Sequence, residues 1–168
     1  DVGSFVVARG DLALLVDPGL EVYTKRTFSE QRYVSKVLSS YGHSVPVVAG
    51  ELQRTGREFA ARVVSTSFSA TEDVVVLDLT AAYSVPALKS LVRTFTLRRG
   101  ASPEIVISDA VDFSAASTFE GALVTFEKFT ERGAGEFVIG GSGGLRVSVD
   151  STAPWKLRTE TLDENLPG

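Results

Sequence analysis

The chain has 168 residues, 43% of them hydrophobic, and a net charge of −4, which provides enough apolar content for the core of one domain. That charge argues against a general nucleic-acid binder, since such domains are usually strongly basic. The absence of cysteine excludes a disulfide framework and thiolate chemistry, and no apolar run approaches the roughly 18 residues that a membrane helix needs.

Taken in order, the chain opens on Asp1 rather than on a methionine, and the expectation is a piece of a longer protein. Ser4 to Arg9 is strand-like, because Phe5, Val6 and Val7 are good strand formers. Gly10-Asp11 reads as a turn into a second strand, Leu12 to Val16, which predicts a hairpin ending at Asp17-Pro18-Gly19. Leu20 to Ser40 is polar, and its apolar residues do not alternate. It carries Lys25, Arg26, Arg32 and Lys36 against only Glu21 and Glu30. The reading is a long irregular excursion with one or two helical turns around Ser29 to Lys36 and Ser29 as N-cap. A loop this long is either a solvated flap or functional. In the functional case Lys25, Arg26, Arg32 and Lys36 form a basic rim facing an anionic ligand.

From Val45 onward short strands follow one another: Val45 to Ala49, Phe59 to Phe68, Asp73 to Leu79, Leu91 to Arg98 and Glu104 to Val111. Tyr83 to Ala87 breaks the series. Thr118 to Phe126, Glu136 to Ile139, Leu145 to Val149 and Trp155 to Leu162 complete it. Gly133-Ala134-Gly135 and Gly140 to Gly144 read as turns, and the tail Asp163 to Gly168 is expected to fray. Short strands with turn signals at this spacing predict an all-β fold, a two-sheet antiparallel β-sandwich with one long irregular segment near residues 20–40. No βαβ rhythm is present. Gly140 to Gly144 lacks the Lys-Ser/Thr of a phosphate loop, and no Gly-x-Ser-x-Gly elbow occurs.

Two residues stand out chemically. His43, the only histidine, sits in a loop between Gly42 and the apolar run Val45 to Ala49. Asp17 closes the second strand. A carboxylate and an imidazole are two of the usual zinc ligand types, although zinc takes at least three protein ligands. The alternative is a hydrogen-bonded loop histidine beside a plain Asp-Pro-Gly turn.

Asp1-Val2-Gly3-Ser4-Phe5, Leu14-Leu15-Val16-Asp17-Pro18-Gly19 and Gly42-His43-Ser44-Val45-Pro46-Val47-Val48-Ala49-Gly50 together resemble the C-terminal β-domain of the heparinase II/III-like polysaccharide lyases. Leu77 to Tyr83 and Arg93-Thr94-Phe95 continue the resemblance over most of the chain. It implies residues 1–168 as a β-sandwich domain that follows an N-terminal α/α toroid, with the active site between the two. The family motif His-x-His-x-Asp-x-Gly-x-Phe would place both of its histidines before Asp1. The resemblance further implies a zinc site with Asp17 and His43 as ligands, no catalytic residue within this chain, and secretion or export to the periplasm. The implied reaction is β-elimination on acidic polysaccharides containing uronate. The loop departs from the family in one respect: Ser44 follows His43 where an asparagine is frequent. A non-catalytic carbohydrate-binding or scaffold module sharing the fold is the competing reading.

Overall fold

The computed structural model describes residues 1–133 and 135–162. Ala134, within the expected Gly133–Gly135 turn, and the tail 163–168 lie outside the described residues. The fold is all-β and sandwich-like. Eleven strands and four short 3-10 turns are the regular structure among the described residues. Every strand pairing is antiparallel. In chain order the strands are β1 (Val7–Arg9), β2 (Leu12–Leu15), β3 (Val47–Val48), β4 (Arg62–Phe68), β5 (Glu72–Asp78), β6 (Leu88–Arg98), β7 (Glu104–Phe113), β8 (Phe119–Glu120), β9 (Phe129–Gly133), β10 (Glu136–Ile139) and β11 (Leu145–Ser148).

The chain divides into two compact units, each with one principal sheet. The first joins Asp1–Gly3 to Val45–Gly121. Its sheet is the meander β4-β5-β6-β7, with β3-β8 as a short second pair. Alternation decides the buried face: Leu91 and Arg93 of β6 are buried, while the intervening Val92 and Thr94 are only partly so. Leu91 packs with Val48, Leu79, Ala82 and Tyr83 in the core of this unit. The segment Asp1–Gly3 is held by side chains of the same unit. Gln53 both accepts from the Val2 amide and donates to the Val2 carbonyl, at 2.8 Å each. Arg93 donates to the Gly3 carbonyl at 2.8 Å. Gly3 has φ +79°, a backbone conformation that favours glycine, and a Cβ there would press on a Leu79 methyl.

The second unit joins Ser4–Ser44 to the chain from Ala122 onward. It contains the hairpin β1-β2 and the three-stranded sheet β11-β10-β9. Val7, Leu15, Phe137 and Ile139 form its core, with the Phe129 and Phe137 rings 4.9 Å apart.

Several strand expectations change. Val45 to Ala49 shrinks to β3. Thr118 to Phe126 shrinks to β8, and Trp155 to Leu162 forms no strand. The sequence reading also misses β9, whose only large apolar residue is Phe129. As an edge strand pairing only with β10, it has no pattern to bury. Phe59 to Phe68 begins at Arg62 and is exposed at every position, so its alternation does not mark a buried face. The irregular segment carries 3-10 turns at Arg26–Phe28, Arg32–Val34 and Ser40–Gly42, the second of which is the helical turn expected around Ser29 to Lys36. Ser29 caps none of them with its side chain. Its hydroxyl instead donates to the Arg26 carbonyl at 2.9 Å and accepts from the Gln31 amide at 3.2 Å.

Candidate functional site

The site begins where β2 ends. Val16 donates its amide to the Val124 carbonyl at 2.9 Å, and the Thr125 hydroxyl donates to the Leu14 carbonyl at 2.7 Å. These bonds fix the point at which Asp17 leaves the strand. Gly19 at φ +77° donates its amide to Asp17 Oδ1 at 2.8 Å, an Asx turn that immobilises the carboxylate and leaves Oδ2 for another partner.

That partner is His43, 26 positions later, with Nδ1 at 3.1 Å from Asp17 Oδ2. The preceding 3-10 turn delivers the ring. Its Gly42 donates to the Lys36 carbonyl at 2.8 Å, and a Cβ on Gly42 would stand 2.6 Å from that same oxygen. His43 is buried, with Nε2 at 2.9 Å from the Val37 carbonyl. Ser44, buried beside it, accepts the Val124 amide at 3.2 Å. The structure thus brings together the two residues singled out as zinc ligands.

Two arrangements fit these distances. In the first, both ring nitrogens carry protons and donate, one to a carboxylate and one to a carbonyl. In the second, Nδ1 and Asp17 Oδ2 share a metal. Two donors on a tetrahedral zinc lie roughly 3.3 Å apart, given metal–ligand bonds of about 2.0–2.1 Å. A ligating histidine commonly donates its other ring N–H to a backbone carbonyl, which is the place the Val37 oxygen takes. The pair therefore fits zinc as two members of a ligand set. Among the described residues no cluster of three or more metal-ligating side chains forms, so a zinc here needs ligands from beyond them.

The four basic residues of the irregular segment are placed differently from one another. Lys25 and Arg26 line a shallow depression with Ser29, Glu30 and Gln31. Arg26 pairs with Glu21 at 2.7 Å. Burial pushes the Glu21 carboxyl up, and hydrogen bonds from Arg26, Ser35 and Thr27 outweigh it, leaving it below the usual carboxylate range. Arg32 donates to the Thr27 carbonyl at 3.3 Å and lies over the Tyr33 ring. Lys36 pairs with Glu160 and lies over the Tyr41 ring. Tyr41 and Arg158 also donate to Glu160, and Lys36 foremost holds that carboxyl down at about 2. Three of the four cations are thus engaged by groups of the chain itself.

The sequence reading missed Glu160 and the Val37 carbonyl. Glu160 lies 124 positions from Lys36 in a stretch with no regular structure, and a carbonyl has no sequence signature. No protein-family model matches the chain, and no curated protein matches it.

Proposed function

We propose that the chain is the C-terminal β-domain of an exported polysaccharide lyase that cleaves uronate-containing acidic polysaccharides by β-elimination. It supplies one wall of the active site and two metal ligands, Asp17 and His43. The observation that carries this reading is the 3.1 Å approach of Asp17 Oδ2 to His43 Nδ1, with the far nitrogen held by a carbonyl. It joins residues from two separate motifs on which the family resemblance rests.

β-Elimination needs a base within hydrogen-bond reach of the proton it removes, and stabilisation of the charge that develops. Two of the chain's four tyrosines serve poorly as that base. Tyr83 is buried, donates to the Pro46 carbonyl at 2.6 Å and is pushed up to about 12 by burial. Tyr41 is committed to Glu160. The base is assigned to the toroid that this reading places upstream. Tyr23, Phe28 and Val34, exposed along the irregular segment, supply apolar surface for that neighbour.

The test uses the full-length protein and an acidic-glycan panel of heparin, heparan sulfate and alginate, read by the near-ultraviolet absorbance of the unsaturated uronate product. The full-length protein should raise the absorbance, and residues 1–168 alone should not. Asp17→Ala and His43→Ala in the full-length protein should lower zinc content by elemental analysis. A rise from residues 1–168 alone that His43→Ala abolishes would overturn the division of labour, and unchanged zinc would overturn the ligand assignment.

The non-catalytic module remains the second reading. It is favoured by the engagement of Arg26 and Lys36 with carboxylates of the chain itself. The sequence preceding Asp1 discriminates. A His-x-His there, after several hundred helical residues, fits the lyase, whereas a signal peptide joined directly to this domain fits the module.

A further inference from the structure

The two edges of the sheet β4-β5-β6-β7 are built differently. β7 carries Glu104, Asp109 and Asp112 along its length. Carboxylates on an edge discourage another strand from adding to it. β4 carries a single charge, Arg62 at its start, which pairs with Asp78 at 2.9 Å. Its stretch Val63-Val64-Ser65-Thr66-Ser67-Phe68 contains no charge, proline or glycine, and every residue of β4 is exposed. Val63, Val64 and Phe68 are among the exposed large apolar side chains. An edge strand leaves alternate backbone N–H and C=O groups without a strand partner, which makes it a template for another strand.

The sequence of this edge is complementary to itself. In an antiparallel pair, directly opposed residues point to the same face, so a two-fold pairing of identical regular strands is centred on a residue. Centring on Thr66 sets Thr66 against its own copy, Ser65 against Ser67 and Val64 against Phe68. Hydroxyl meets hydroxyl, apolar meets apolar, and no like charges oppose one another. The irregularity falls on Val64, which has no partner in β5, so the regular part of the pairing is residues 65–68, where Thr66 meets its copy and Ser65 meets Ser67. On the same face, Thr66 neighbours Val75, and Val75 pairs with Phe95, which pairs with Ile107. A second sheet joined there would extend this apolar row across the two-fold.

We infer that β4 is a homodimerisation edge, pairing antiparallel with β4 of a second copy about Thr66 to make one continuous eight-stranded sheet. The inference does not depend on the lyase reading. It also accounts for a strand that is wholly exposed and yet made of strand-forming residues.

The chain contains no cysteine, which permits a clean trap. In this chain, Thr66→Cys should form an intermolecular disulfide under mild oxidation, because the pairing sets that position against itself. Ser108→Cys, on the exposed side of β7, should not. Sedimentation velocity should show a concentration-dependent dimer, and Thr66→Lys should weaken it at least about tenfold by opposing two ammonium groups. An unchanged far-ultraviolet circular dichroism spectrum verifies that each variant folds. A monomer at every concentration overturns the inference and leaves the edge to a strand of another protein. A dimer indifferent to Thr66→Lys, or equal cross-linking from both cysteine variants, also overturns it.

Discussion

Replacing Arg93 with alanine removes the cation at the centre of the first unit. The side chain is 2% exposed, and its Nε and Nη2 donate to the two oxygens of Asp109 at 2.7 and 2.8 Å. Nη1 ties the Gly3 carbonyl, at 2.8 Å. A buried ion pair contributes little over well-packed apolar residues, but removing one partner strands the other and costs about 3–5 kcal/mol. The Asp109 side chain keeps 15% of its exposure, so water reaches the stranded carboxylate. The lower end, about 3 kcal/mol, is therefore expected. At about 2–4 °C per kcal/mol for a chain of this size, the melting midpoint falls by about 6–12 °C. Far-ultraviolet circular dichroism follows the sheets. The fluorescence of Trp155, the only tryptophan, reports on the second unit. Arg93→Met combined with Asp109→Leu should lose less than Arg93→Ala, because no charge stays behind. A loss below about 1 kcal/mol for Arg93→Ala, or a double variant less stable than that single one, refutes the reasoning.

Gly42→Ala forces a Cβ against the Lys36 carbonyl and should cost about 1–3 kcal/mol by overpacking, measured by urea denaturation; a neutral substitution would mean the His43 turn has room to spare. Burial raises the Tyr83 hydroxyl from 10.0 to about 12. Its contribution to stability is therefore complete below pH 10.0 and fades as pH rises toward about 12. Tyr83→Phe should leave the tyrosinate absorbance of the folded protein near pH 11 almost unchanged, and loss of one tyrosine's full signal refutes it. Glu160 is held at about 2 against an ordinary 4.5, chiefly by Lys36. Its contribution is present above pH 4.5 and lost as pH falls toward about 2, so a carboxyl titration by NMR with a midpoint near 4.5 contradicts the Lys36–Tyr41–Glu160 cluster.

The central strands were legible because their signal is local. β5, β6 and β7 are rich in β-branched residues, β6 adds alternation, and the structure moves their ends by three residues at most. Where pairing is brief or one-sided, the signal fails. β8 and β3 pair over only two residues each, Val47 with Glu120 and Val48 with Phe119, so their apolar neighbours suggested longer strands than exist. Trp155 to Leu162 has strand-like composition but pairs with no strand among the described residues. Composition supplies propensity, and the partner decides whether a strand forms.

The same distinction separates the parts of the candidate site. Asp17 was legible because an Asp-Pro-Gly turn holds its own carboxylate, through the 2.8 Å bond from the Gly19 amide. His43 was legible because glycine precedes it and a strand follows. What the sequence hides is what those side chains meet. The Val37 carbonyl reaches Nε2 only because Gly42 folds the segment back on Lys36. Asp17 is fixed by its own turn and His43 by the Val37 carbonyl, so the proposed zinc would find little conformational freedom left to lose. The pair is preorganised by the chain, and a zinc joining it would gain affinity from ligands already in place rather than having to assemble them.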